Sequence, residues 1–147
     1  HPRSSAASDV YKRQVQYVAS GLIRSKDTDF FSRLGEIHSG VEQVISELKP
    51  IVMAVEDVFV SRNPSSALKL GQARGVAVAA ATSAKLPIFS YAPRVIKKNL
   101  AGTGNASKEQ VAYMVKAVLR LPDVPLPDAA DALAIALCHV NTCVSQA

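Results

Sequence analysis

Ile51-Val52-Met53-Ala54-Val55-Glu56-Asp57-Val58-Phe59-Val60 is apolar on both sides of an acid, and this run constrains the fold most. It reads as a buried strand carrying a carboxylate at its end. The flanking sequence supplies helices to cover such a strand. Before it, Asp27-Thr28-Asp29 offers an N-cap and early negative charge. Phe30, Phe31, Leu34, Ile37, Val41, Val44, Ile45 and Leu48 then recur at three- and four-residue steps, which predicts one buried helical stripe that Pro50 ends. After it, Asn63-Pro64-Ser65-Ser66 predicts a turn, followed by a helix over about 66–86. Val15–Ile23 and Pro87–Tyr91 read as further strands. Ser107 and Gln110 form a capping box for a helix whose apolar face is Val111, Met114, Val115, Val118 and Leu119. Pro122, Pro125 and Pro127 fix an extended connector before a last helix that opens at Asp128. Strand, helix, strand, helix, strand, helix, helix is an α/β pattern with a mostly covered sheet.

Composition narrows the class. At 147 residues, with 48% hydrophobic and 20% charged residues, the chain has the make-up of one soluble globular domain. No apolar run is long enough to span a membrane, so a cytoplasmic location is expected. Cys138 and Cys143 fit no zinc spacing and form no disulfide framework, so they read as buried or half-buried thiols in a reducing compartment. A net charge of +5 favours a polyanionic partner, while the absence of Trp argues against a base-stacking single-strand binder. Residues 1–14 are small, polar or charged without periodicity and read as a non-homologous or disordered tail, leaving 15–147 as the domain.

The chemistry lies in the acids. In Pro127-Asp128-Ala129-Ala130-Asp131-Ala132-Leu133-Ala134, two carboxylates three residues apart share one face of a helix near its start. With Glu56 they would make a cluster of three, whose mutual repulsion a cation must offset. Mg²⁺, which takes hard oxygen ligands and shares its sphere with phosphate and water, suits such a set. The implied chemistry is metal-assisted phosphodiester hydrolysis. Asp57 should point away from Glu56 and be structural, and His38 and His139 are not expected in the cluster. The most basic stretch holds Arg94, Lys97 and Lys98, and Lys108 begins a helix whose N-terminus would favour phosphate. Gly102-x-Gly104 reads as a plain loop. Gly71 and Gly75, four apart, fit either tight packing on the sheet or a helix-to-helix dimer seam.

Three segments together resemble the bacterial RuvC Holliday-junction resolvases. They are Ala54–Phe59, Ser66–Gly75 (Ser-Ala-Leu-Lys-Leu-Gly-Gln-Ala-Arg-Gly) and Pro127–Ala134, within a resemblance running from about Val15 to Gln146. The resemblance implies an RNase H-like fold, a mixed sheet flanked by helices, and a homodimer joined through the 66–86 helix. It implies symmetric cutting of four-way DNA junctions with Mg²⁺, or Mn²⁺ in its place, in recombination and repair, beside a branch-migration helicase complex. It makes Glu56, Asp128 and Asp131 metal ligands, and has Lys97 and Lys108 hold or polarise phosphate at the cut. It has Arg94 and Lys98 meet DNA, and sets Phe59 against unpaired bases at the crossover. The chain departs from the family where a first strand ending Gly-Ile-Asp-Pro-Gly, carrying a fourth acid, and a second strand belong. Asp9, the one acid in that region, has no apolar run before it and no Pro-Gly after it. The expectation is a chain clipped in front and behind that cleaves weakly or not at all; the alternative is a non-catalytic junction-binding or dimerising fragment.

Overall fold

A computed structural model describes residues 15–26, 28–57 and 63–146. Residues 1–14, with Asp9, and Phe59 lie outside the described residues. The chain divides into two compact units: Gly21–Pro93, and the residues from Arg94 onward together with the described ones up to Ser20.

The first unit is built of α1 (Phe30–Leu48), β1 (Met53–Glu56), α2 (Pro64–Ser83) and β2 (Ile88–Tyr91). Asp29 caps α1, its carboxylate accepting from the Ser32 N–H at 2.9 Å. That bond, reinforced by the Ser32 hydroxyl, holds the Asp29 carboxyl below the usual range. Lys49 ends the helix in the left-handed region at φ 50°, because Pro50 disfavours continued helix in the residue before it. The two strands pair in parallel, Met53 opposite Ile88 through to Glu56 opposite Tyr91, with α2 as the crossover. Helices α1 and α2 pack on each other, and Val55, Ala80 and Ala81 are buried. No residue of α1 is fully buried. Its stripe instead faces an apolar hollow of about 240 Å³, lined among others by Ile23, Val41, Ile45, Met53 and Ala81.

The second unit holds α3 (Pro93–Ala101), α4 (Lys108–Leu119) and α5 (Pro127–Gln146). Helices α4 and α5 pack through Val111 and Val115 against the face carrying Ala130, Ala134, Leu137 and Cys138, while Ile96 and Leu100 bury one side of α3. Leu137, Val115 and Cys138 are the largest fully buried side chains, and burial of a Leu or Val side chain stabilises by about 1.5–3 kcal/mol. Among the described residues, no helix is long and apolar enough to cross a membrane.

The expected elements recur with four differences. Val15–Ile23 has no ladder: a strand exists only beside a partner, and the described sheet has two strands, neither paired with it. Asn63-Pro64 is not a turn before a helix but its beginning. The Asn63 side chain accepts from the Ser65 and Ser66 N–H groups, and Pro64 takes the first helical position, where a missing N–H costs nothing. That helix ends at Ser83 rather than near 86, where Lys85 turns left-handed at φ 64° and the Leu86 N–H reaches back to the Ala81 carbonyl. Finally, the basic stretch is itself helical. Pro93 starts α3, and Ile96 and Leu100, four apart, give it a buried side.

Candidate metal centre

Helix α5 begins at Pro127, so Asp128 falls in its first turn, where negative charge is favoured, and Asp131 follows one turn on. Ala130 and Ala134 seat α5 in the core, which leaves Asp128 exposed and Asp131, nearer the buried face, half-buried. Carboxylates at this spacing repel. Lys108 offsets that repulsion, its Nζ lying 3.8 Å from Asp131 Oδ2. The lysine reaches this place because it opens α4, whose N-terminus is fixed by the expected capping box. The Gln110 N–H donates to Ser107 Oγ at 3.1 Å, and the Ser107 N–H donates to Gln110 Oε1 at 2.8 Å. Three of the expected residues, Asp128, Asp131 and Lys108, are thus held together by the packing of α4 on α5.

The remaining basic residues expected at the site lie on α3. Lys97 is half-buried, and Lys98 and Arg94 are exposed. Arg94 Nη1 donates to Asn105 Oδ1 at 3.4 Å, and its guanidinium lies 3.3 Å from where a Cβ at Gly104 would stand. Gly102, at φ 83°, is the loop glycine that its position before Gly104 suggested.

Glu56 belongs to the first unit and is the last residue of β1. Beside it, the sequence concealed a small network. Arg74 of α2 donates from Nε to the Glu56 carbonyl oxygen at 3.1 Å and from Nη2 to Ser90 Oγ at 3.2 Å. The Ser90 hydroxyl donates in turn to Asp57 Oδ1, which also lies 3.6 Å from the same Arg74 nitrogen. Asp57 therefore has the structural role expected of it. Arg74 and Ser90 were not legible as partners, since they are 18 and 34 positions from Glu56 and only the β1–α2–β2 crossover brings them back. His38 pairs with Glu42 on α1 at 2.6 Å, and buried His139 contacts Cys143 Sγ at 3.5 Å.

Within neither unit do three described His, Cys, Asp or Glu side chains come close enough to hold a metal ion. Asp128 and Asp131 offer hard oxygen donors on one helix face, with a cation already drawn to Asp131. That donor chemistry fits a hard divalent ion, given a further ligand from elsewhere.

Parallel strands joined by a crossover helix in one unit, and a helix opening on two carboxylates in the other, make this an α/β chain with paired acids at a helix start. The family model described as crossover junction endodeoxyribonuclease RuvC matches residues 6–139. A protein of that name from Aliivibrio fischeri (strain MJ11) is 51% identical over 130 residues, covering 88% of this chain and 75% of its own. Its counterpart from Klebsiella pneumoniae (strain 342) is 51% identical over 136 residues, covering 91% and 79%. Among solved structures, Thermus thermophilus RuvC superposes with a TM-score of 0.80 at 36% identity, covering 90% of this chain and 81% of that one. The same protein in complex with a Holliday-junction substrate gives 0.84 at 36% identity, covering 91% and 82%. The chain belongs to the RuvC family, and its fold is RNase H-like.

Proposed function

We propose that this chain is a Holliday-junction resolvase, a divalent-metal-dependent endonuclease acting on four-way DNA in recombination and repair. The observation that carries this reading is the match, over most of the chain, to crossover junction endodeoxyribonucleases, one of them solved on its junction. The joined Asp128, Asp131 and Lys108 support it chemically. Glu56, Asp128 and Asp131 would hold the metal, Mg²⁺ or Mn²⁺. When bound, it supplies Lewis acidity to the scissile phosphate and a nucleophile at neutral pH. Lys108, already at Asp131, and Lys97 would hold the phosphate oxygens at the cut. Arg94 and Lys98 would follow the DNA backbone by charge, and Phe59 would pack against unpaired bases at the crossover.

A second copy of the chain fits the exposed face of α2. Leu68, Gly71, Gly75 and Ala79 recur there at three- and four-residue steps and are all exposed. Among the described residues, a Cβ built at Gly71 or Gly75 meets nothing within 4 Å, which supports the seam reading over tight packing on the sheet. A homodimer cutting both arms symmetrically, alongside a branch-migration helicase in the cytoplasm, completes the proposal.

Cleavage of a labelled four-way junction tests the reading. Mg²⁺-dependent nicking should vanish with EDTA and fall by several orders of magnitude in Glu56→Gln or Asp128→Asn, since each ~1.4 kcal/mol of missing stabilisation is tenfold in rate. The alternative, a non-catalytic junction-binding or dimerising protein, predicts junction binding without nicking in the same assay.

A further inference from the structure

We propose that Arg74 is a positioning residue for the candidate metal centre, fixing the main chain at Glu56 so that its carboxylate is presented in one orientation. The proposal rests on the reading of Glu56 as a ligand. Met53 N–H donates to the Pro87 carbonyl and Asp57 N–H to the Tyr91 carbonyl, so the residues of β1 that bond to β2 are those at odd positions. The Glu56 carbonyl turns the other way and has no acceptor role in that ladder. Arg74 supplies its donor, at the point where the strand ends. A guanidinium can do this and brace a second element at once, because its nitrogens form a rigid planar fork. Here Nε takes Glu56 and Nη2 takes Ser90 and Asp57, which ties α2, the end of β1 and β2 together. The brace stands on a seated helix, since Ala80 and Ala81 of α2 are buried. An isolated part-exposed ion pair would contribute little; two hydrogen bonds and an ion pair on one fork fix geometry instead. Mg²⁺ demands near-ideal octahedral geometry, so slack in a ligand's backbone weakens binding, and removal of an outer partner typically lowers metal affinity roughly 10–100-fold.

The test measures Mn²⁺ binding to the full chain by electron paramagnetic resonance, without DNA. It is paired with metal-free junction binding in EDTA and amide hydrogen exchange, at a temperature where circular dichroism shows every variant folded. Arg74→Lys keeps the charge and loses the fork. It should weaken Mn²⁺ roughly 10–100-fold, leave junction binding in EDTA unchanged, and speed exchange at Asp57 but not Met53. Ser90→Ala should shift both readouts in the same direction by less, and decides the matter alone if Arg74→Lys does not fold. In a Glu56→Gln background, neither substitution should weaken Mn²⁺ further. Equal weakening in that background would overturn the proposal while sparing Glu56, and so would unchanged Mn²⁺ affinity with reduced junction binding, which would make Arg74 a DNA contact. A chain without a measurable Mn²⁺ site, or Glu56→Gln with the parent's affinity, would remove the Glu56 reading, and this proposal with it.

Discussion

Lys108 sits on Asp131 because Ser107 and Gln110 fix the first turn of α4 behind it. Its side chain is nonetheless 77% exposed, so its hold on the carboxylate is weak and it can turn to a phosphate. Lys108→Ala and Lys97→Ala should each weaken junction binding and flatten its salt dependence, by about 1 in the log–log slope for every phosphate left without its lysine. Titration of binding from low to high salt measures this, and an unchanged slope would mark either lysine as an ordinary surface charge. The two thiols separate in the same way. Cys138 is fully buried, and desolvation pushes its thiol above the ordinary value, whereas Cys143 is exposed. A disulfide reagent should therefore label one thiol per native chain quickly and the second only on unfolding. At this scale the sequence was legible where partners are neighbours, as in the Ser107–Gln110 box and the Asp128–Asp131 spacing. It was silent where the fold alone makes them neighbours, as with Arg74 and Glu56.

The elements were legible in proportion to how locally their ends are specified. Helix α1 is bracketed by Asp29 and Pro50, and α4 by its capping box, and both appear where the residues put them. Helix α3 was hidden because its basic face drew attention from Ile96 and Leu100, two apolar residues in a helix of only nine. Val15–Ile23 misled for the opposite reason: its residues favour a strand, but strand formation depends on a neighbour that no local pattern encodes. The cap on α4 gives the clearest test at this level. Ser107→Ala should lower stability by about 1 kcal/mol in denaturant unfolding and loosen Lys108 with it. A drop in stability without any change in the salt dependence of junction binding would separate the helix from the phosphate contact.

For the whole molecule, the α/β class and the placing of acids at a strand end and a helix start could be read in advance, because each follows from apolar periodicity around a charge. The division that puts Glu56 in one compact unit and the α5 acids in the other could not, since apolar periodicity does not mark it. Gly71 and Gly75 bear on assembly. Each is exposed with room for a methyl group, and Gly→Ala within a helix stabilises by roughly 0.5–1 kcal/mol. Gly71→Ala should therefore raise the melting temperature of the dilute chain, yet weaken self-association measured by sedimentation and lower cleavage with it. Equal association of parent and variant would discard the α2 seam. On the proposed seam, the bare stripe on α2 sets a trap for anyone optimising this protein: a screen that rewards thermal robustness of isolated chains would select the very methyl groups that would keep two copies apart.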